Sequence, residues 1–479
     1  MKHKPLIHCL AFLLLFPFVA LAQQDIIRKL QVHVDNNGEF EECLLQIYLS
    51  LDSTQLSSGA SPCSIHYSLL MQSPHSNASR EIELDGETTI LINNTFSFQH
   101  TLHVGDIKFW NDEEPVRYTF KAEIISPDGN IVHQKETPVA MSDCRVIHVP
   151  AYSDEFNIGG NCLCCNGEII RMKGIYFDRK QWRRFANTHT SMTQLACQLK
   201  QVHANTVAFP FIDDNACRQW LDICDSAGLY AIPYISCLRD TVILRALNSF
   251  CSLDYLLMLD KDKSPRQSNR LLDQLKTTYP RQQFIHTSPC TQTSMVLACN
   301  PISSHIDTML QANTPTVTPY AILFEGADTA SIALTVKKAM SNNRVSSLFI
   351  NSSYLREHPE WVSRLYQPCV MEIIDINKGY VSVKNLNSFT PISQGSLHAC
   401  IFHGNQIIWE QCIALPLIGP REIVTINVPY ELSLENNKEY LLEISIINHS
   451  DNNHPDSKIS HGIWSVSTFQ GHSRPFSYR

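Results

Sequence analysis

The sequence predicts a multidomain chain: a β-sandwich, a reduced (β/α) barrel and a second β-sandwich. Three observations carry this expectation. Short alternating apolar runs punctuated by turn residues fill the chain before residue 150 and again after residue 366. Between them, compact apolar runs alternate with amphipathic helical stretches, the pattern of a parallel α/β arrangement. With 479 residues, 44% of them hydrophobic, the chain is long enough for three domains with cores of their own.

Residues 1–22 have the pattern of a secretory signal. Lys2 and Lys4 precede an apolar run from Leu6 to Leu21, and Ala20-Leu21-Ala22 gives the small-x-small step before Gln23. The run is short for a membrane span and no basic stop follows it. Cys9 lies inside it, away from the cleavage pattern. A secreted or periplasmic location is therefore expected, with no membrane contact after cleavage.

Residues 23–150 form the first expected sandwich. LQVHV, CLLQIYLSL, SIHYSLLM and YTFKAEIIS alternate with period two, and NNG at 36–38 and PDG at 127–129 supply turns. Residues 151–365 form the expected barrel. TVAFPF reads as a strand, ACRQWLDICDSAG as a helix closed by Gly228, and Leu229–Ile235 as the next strand. Asp254–Leu259 and Tyr320–Phe324 are further buried strands, and SNRLLDQLKTT and ADTASIALTVKKAMS are helices. The segment is short beside the roughly 250 residues typical of an eight-fold barrel, so a stripped version is expected. Residues 366–479 return to strands, among them CVMEIIDI, GYVSVKNL, LHACIFH, QIIWEQCIAL and YLLEISIIN, and form the second sandwich.

A formal charge of −8, spread along the chain, gives no electrostatic reason to expect nucleic acid as a partner. Cys162, Cys164 and Cys165 form the one tight cysteine cluster, and no second ligand pair stands at a matching distance. Small buried thiols are the expectation there rather than a metal site, and disulfide pairing stays open. Neither a phosphate-cradling glycine loop nor a GxSxG elbow is present, so no cofactor is expected. Asn77-Ala78-Ser79, Asn93-Asn94-Thr95 and Asn351-Ser352-Ser353 fit the glycosylation triplet.

Several collinear segments resemble glycoside hydrolase family 2, the β-galactosidase family. VGDIKFWNDEEPVRYTF, with Trp110, Glu113-Glu114-Pro115 and Tyr118, is similar to that family's immunoglobulin-like domain. NGEIIRMKGIYFDR, with Asn166-Gly167 and Lys173-Gly174, is similar to the hairpin leading into its TIM-type barrel. LKQVHANTV and DICDSAGLYAI resemble the next two strand-helix units, and Asn385 and Phe389 a phrase of the sandwich that follows the barrel. The resemblance covers most of the chain from about residue 100 onward. It implies carbohydrate, of the β-galactoside kind, as partner and hydrolysis of an O-glycosyl bond as chemistry.

A retaining glycosidase needs two carboxyl groups about 5–5.5 Å apart, one to attack the anomeric carbon and one to protonate the leaving oxygen. In the family both are Glu at barrel strand ends. YAILFEGADTAS resembles the nucleophile segment and assigns that role to Glu325. The acid/base segment, an apolar strand ending in Gly-Asn-Glu in the family, corresponds to Tyr255–Leu259 followed by Asp260-Lys261-Asp262. Asp260 and Asp262 are the substitute acids, each one methylene shorter than Glu. Other polar positions differ as well. Ala208-Phe209-Pro210 follows Asn205-Thr206-Val207, Tyr234-Ile235 ends a strand without an acid, and Tyr176-Phe177-Asp178-Arg179 follows Lys173-Gly174. Hydrolysis that is weak or lost is thus expected. Two other classes stay open: a non-catalytic carbohydrate-binding protein, with Trp182, Trp220 and Tyr234 as the first stacking candidates beside the alternative of barrel core or packing under a loop for each, and a structural or assembly module.

Overall fold

The computed structural model describes residues 26–467, apart from 53–62, 93–95, 150–159, 238–249, 260–263, 279–282, 287–294, 302–318, 341–344, 430–438 and 450–456 and positions 37, 39, 75, 77, 187, 212, 236, 254, 255, 300 and 377. The signal-like residues 1–22 lie outside the described residues. Among the described residues, no helix is long and apolar enough to cross a membrane.

Two antiparallel sheets open the chain. One contains β1 (Ile27–Asp35), β2 (Cys43–Leu51) and β6 (Ser97–Val104), in the order β1-β2-β6. The other contains β3 (Ser64–Gln72), β4 (Ser79–Ile82), β5 (Thr89–Leu91), β7 (Arg117–Ile125) and β8 (Ile131–Val139), in the order β4-β3-β7-β8 with β5 also on β3. Period-two alternation decides which face is buried. In β2, Cys43, Leu45, Ile47, Leu49 and Leu51 all point to the core, where they meet Leu69, Phe120 and Ile124 of the other sheet.

A small sheet of β9 (Cys144–Val149), β10 (Gly160–Cys165) and β11 (Glu168–Ile169) then leads into the barrel. Asn166 and Gly167 both have positive φ, 49° and 82°, as a tight two-residue hairpin turn requires. Cys162, Cys164 and Cys165 are buried, and burial pushes the Cys164 thiol up to about 12. They act as small core residues.

The barrel is not reduced in its strands. Eight parallel strands follow one another around it: β12 (Met172–Tyr176), β13 (Thr206–Pro210), β14 (Tyr230–Ile235), β15 (Leu256–Leu259), β16 (Gln283–His286), β17 (Met295–Cys299), β18 (Tyr320–Phe324) and β19 (Val345–Asn351). Pairing of β12 with β19 closes the ring. The economy lies in strand length, four to seven residues each. Three strands escaped the sequence pattern. QFIH and MVLAC are very short, and VSSLFIN carries two serines that nonetheless lie buried. Helices α1 (Arg179–Phe185), α2 (His189–Gln201), α3 (Asp214–Ala227), α4 (Pro265–Thr278), α5 (Thr329–Met340), α6 (Ser352–Glu357) and α7 (Pro359–Tyr366) accompany the strands. Outward strand residues such as Val207, Phe209, Ile322 and Ile350 share one core with Trp182, Leu195, Trp220 and Leu275 of the helices. Inward residues such as Ala208, Ile232, Tyr234, Leu297, Leu323 and Phe349 fill the barrel itself. Gly174 belongs to this interior because a Cβ there would stand 2.2 Å from the Phe349 ring.

After the barrel, β20 (Cys369–Asp375), β21 (Tyr380–Asn385) and β24 (Ile423–Asn427) form one antiparallel sheet. It faces a second, in the order β23 (Gln406–Ala414), β22 (Gly395–His403), β25 (Glu439–Asn448) and β26 (Ser457–Ser467). Leu397, Ile401, Ile444 and Val383 meet between them.

One loop ties the three regions together at the N-terminal end of the barrel. The Tyr118 hydroxyl donates to the Lys108 carbonyl and accepts from its N–H, which anchors the loop to the first sandwich. Asn111 Oδ1 accepts from the N–H groups of Glu113 and Glu114 and folds the loop into a turn. Trp110 is fully buried and donates Nε1–H to the Asp225 carbonyl, 2.9 Å. Asp112 accepts from Asn205 Nδ2 (2.8 Å) and from the Tyr230 hydroxyl (3.1 Å). Asn205 Oδ1 accepts in turn from the N–H of Lys173 and the hydroxyl of Thr206. Lys200 donates its ammonium to the carbonyls of Asp112 and Gly228. Gly228 takes φ 67° there, and a Cβ would lie 2.4 Å from the Asp112 carbonyl oxygen.

Glu113 turns the other way, towards the second sandwich. Its carboxylate accepts from the N–H groups of Ser388 (2.7 Å), Phe389 (3.1 Å) and Thr390 (2.6 Å) and from the Thr390 hydroxyl (2.7 Å). Burial and the neighbouring Asp112 charge push the Glu113 carboxyl up, and those hydrogen bonds hold it down. The turn that Glu113 grips is itself set by the buried Asn385, whose Nδ2 donates to the carbonyls of Thr390, Ile418 and Gly419. Replacing Glu113 with Ala leaves four donors unpaired, each costing about 1–3 kcal/mol where buried. Glu113→Ala is therefore expected to lower stability by about 3 kcal/mol or more and to speed hydrogen exchange at the amides of Ser388–Thr390. Unchanged protection of those amides would contradict the clamp.

Asp225, buried beside this loop, accepts from the N–H groups of Cys251 (3.1 Å) and Ser252 (2.7 Å). Burial nevertheless pushes its carboxyl up to about 7 from an ordinary 3.8. Between those values the folded chain holds a proton that the unfolded chain has released. Its stabilisation is complete below about pH 4 and is lost as pH rises through 7. Asp225→Asn is expected to flatten the fall in unfolding free energy between pH 4 and 7. An unchanged slope would contradict the assignment.

Candidate active site at the barrel mouth

The inward-facing side chains of a (β/α) barrel end at the C-terminal edge of the strands, where loops converge. Ala321 and Leu323 of β18 point into the barrel, while Ile322 and Phe324 point outward to the helices. Period-two alternation gives Glu325, the next residue, the inward parity at the rim. It is half-buried there.

Three polar arrangements border this end. The Asp178 carboxylate caps α1 by accepting the N–H of Gln181 (2.7 Å), while Gln181 Oε1 accepts the N–H of Asp178 (3.0 Å), a capping box. Gln181 Nε2 donates to Asn351 Oδ1 (2.8 Å) at the end of β19, which links the first and last strands of the ring. The Asn351 oxygen also accepts the N–H of Ser353 and so caps α6. Asn351 is buried and starts α6, so burial argues against its glycosylation-like triplet as a sugar acceptor. On the adjoining side, Tyr234 stacks on Tyr176, with ring centroids 5.6 Å apart and planes at 18°. The Tyr234 hydroxyl donates to the Phe177 carbonyl (3.2 Å), and the Arg179 guanidinium lies 6.0 Å from the Tyr234 ring centre.

Apolar groups dominate the rest of the described rim. Ala208 faces inward beneath Pro210, and Phe177, Phe209 and Ile235 are turned out into the strand-helix core. Of the carboxylates on the described strand ends, Asp178 is committed to its cap, and Glu325 stands at the rim after β18. Asp260 and Asp262 lie outside the described residues.

The three aromatic candidates do not come together. Tyr234 lies inside the barrel near the rim, 3% exposed. Trp182 and Trp220 lie on the other side of the barrel wall, between strands and helices. The Trp182 ring centre is 4.9 Å from Phe209 and 5.2 Å from Trp220. Neither indole offers a face to a sugar, at 3% and 0% exposure, so of the two readings open for them core packing holds and stacking does not. The sequence held a signal for this, since Cys217, Trp220, Leu221 and Cys224 form an i, i+3, i+4, i+7 apolar stripe. The reading also missed the Gln181–Asn351 link, although Asp178-x-x-Gln181 is a legible capping pattern. Trp182→Ala is expected to cost about 3–5 kcal/mol in chemical unfolding. A loss below about 1 kcal/mol would contradict the core position, since surface changes usually stay within about half a kcal/mol.

No protein-family profile matches the chain, and no curated protein does. Solved structures similar to it include the exo-chitosanase CsxA of Amycolatopsis orientalis, with 11% identity, a TM-score of 0.49 and coverage of 93% of this chain and 64% of that one. A β-glucuronidase of Bacteroides uniformis matches with 10% identity, a TM-score of 0.48 and coverage of 91% and 60%. A glycosyl hydrolase family 2 member from Bacteroides cellulosilyticus matches with 12% identity, a TM-score of 0.45 and coverage of 93% and 64%. The chain thus spans less than two thirds of the length of each of these proteins.

Proposed function

We propose that this protein is a secreted, β-galactosidase-like glycoside hydrolase homologue whose barrel retains the attacking carboxylate but hydrolyses β-glycosides weakly or not at all. The observation that carries the reading is the inward parity of Glu325 at the C-terminal rim of a closed eight-stranded parallel barrel. That is where a retaining glycosidase sets its nucleophile. Export rests on residues 1–22 and the galactoside class on the sequence resemblance.

In this reading the Glu325 carboxylate attacks the anomeric carbon as the glycosidic C–O bond breaks. The leaving oxygen takes a proton from an acid, and water then cleaves the glycosyl ester. Asp260 or Asp262, which follow β15 in the chain, would supply that proton. A carboxyl one methylene short of the required reach loses rate heavily, because proton transfer needs hydrogen-bond distance. The aromatic and aliphatic lining adds to the loss, since among the described residues few polar groups are there to orient hydroxyls.

Turnover of p-nitrophenyl β-galactoside, β-glucuronide and β-glucosaminide is expected to lie at least a hundredfold below the roughly 10 s⁻¹ common for enzymes. Glu325→Gln is expected to remove whatever remains. A rate near 10 s⁻¹ would overturn the attenuated reading, and residual turnover insensitive to Glu325→Gln would overturn the nucleophile. Glycoside binding without turnover would favour a lectin-like protein instead, and absence of both a structural module.

A further inference from the structure

The geometry points to a zinc-class metal site on the outer face of the second sandwich, held by His398, Cys400 and Glu410. In β22, Leu397, Ala399 and Ile401 face the core, which leaves His398 and Cys400 side by side on the opposite face. Glu410 of β23 is the direct cross-strand partner of Cys400. One ligand atom from each of the three residues lies within 4.8 Å of the others. The His398 ring runs alongside the thiol, with Nδ1 at 3.8 Å and Nε2 at 3.9 Å from Sγ, and Nε2 lies 2.7 Å from Glu410 Oε1.

These separations suit one small cation. Bonds of about 2.0 Å to nitrogen and oxygen and 2.3 Å to sulfur, arranged tetrahedrally, place ligand atoms roughly 3.3–3.6 Å apart. The sulfur–nitrogen distances are already close to that. The His–Glu contact has to open by about 0.6 Å and the Cys400–Glu410 separation, at most 4.8 Å, has to settle at about 3.5 Å, shifts that side-chain torsions supply because the ladder fixes both backbones. Imidazole, thiolate and carboxylate together favour zinc over magnesium or calcium, which take oxygen donors. On binding, the metal replaces the Cys400 thiol proton, which passes to solvent, and a metal–sulfur bond forms. Glu410 is exposed and His398 partly so, which leaves a fourth position for water.

The surroundings complete the site. Cys412 stands opposite His398 on the same face and adds a second thiol at its edge. On the other flank Glu443 of β25 is the partner of Cys400, and its Oε1 is 2.8 Å from His461 Nε2. The competing account is a plain surface His–Glu pair beside a buried thiol, which would bind no metal tightly.

The test uses the full chain, stripped with chelator and titrated with Co²⁺ and then Zn²⁺. Wild-type protein is expected to show a thiolate-to-cobalt charge-transfer band that saturates near one ion per chain and is displaced by Zn²⁺. Cys400→Ser is expected to abolish the band. His398→Gln and the surface variant Glu410→Gln are expected to weaken binding by at least the roughly 10–100-fold that loss of even an outer-shell partner costs. Cys197→Ser, an exposed cysteine on α2, should leave the band intact. Zn²⁺ should also raise the melting temperature of wild type but not of Glu410→Gln, which serves where Cys400→Ser fails to fold. A band that survives in Cys400→Ser, or no stoichiometric binding by wild type, would overturn the site.

Discussion

The fold depends on a pair of adjacent carboxylates held away from bulk water at the floor of the barrel. Asp112 faces the barrel and Glu113 faces the second sandwich, so two neighbouring residues of one loop serve two different regions. Like charges this close repel, and partial burial adds a desolvation penalty. The arrangement holds because every approach is lined with donors: an amide and a phenol on Asp112, three backbone N–H groups and a hydroxyl on Glu113. Lys173 adds a cation nearby. Burial lowers its ammonium below the usual lysine range, and the two carboxylates pull it back up.

This concentration of polar bonding at the floor explains why the mouth can change without the barrel collapsing. In a (β/α) barrel the N-terminal face serves stability and the C-terminal face serves chemistry. Here the floor is a satisfied network reaching into both sandwiches, while the described rim is mostly aromatic and aliphatic. Three of the rim polar groups are structural: Asp178 and Asn351 cap helices, and the Tyr234 hydroxyl closes on a backbone carbonyl. Short strands packed by Tyr176, Ile232, Leu297 and Phe349 suffice to close the ring.

Much of this was legible in the sequence, for reasons that can be named. Period-two alternation in CLLQIYLSL and YTFKAEIIS fixed both the strands and their buried faces. The phrase around Trp110 to Pro115 was marked as special only by its resemblance to a known family. The structure supplies the physical cause, since those residues are the joint. What escaped detection was set by length and by pairing. QFIH and MVLAC are too short for periodicity to speak, so the barrel looked poorer than it is. Trp182 and Trp220 were open to either stacking or core packing, and burial between strands and helices decides for the core. The His398–Cys400–Glu410 cluster was invisible to a search for CxxC or HxxxH. Its ligands sit two apart along one strand and opposite each other across a ladder, and that register exists only in the folded sheet.

The central functional claim is that the attacking carboxylate is in place and the proton donor is deficient. A substrate whose leaving group needs no proton separates these two roles. Intact-mass measurement after incubation with a 2-deoxy-2-fluoro-β-galactosyl fluoride, followed by peptide mapping, reads the first role alone. One added fluorosugar per chain, located on Glu325 and absent from Glu325→Gln, is the result this account requires. A label on a different side chain, or none at all from a protein that hydrolyses ordinary β-galactosides, would contradict it.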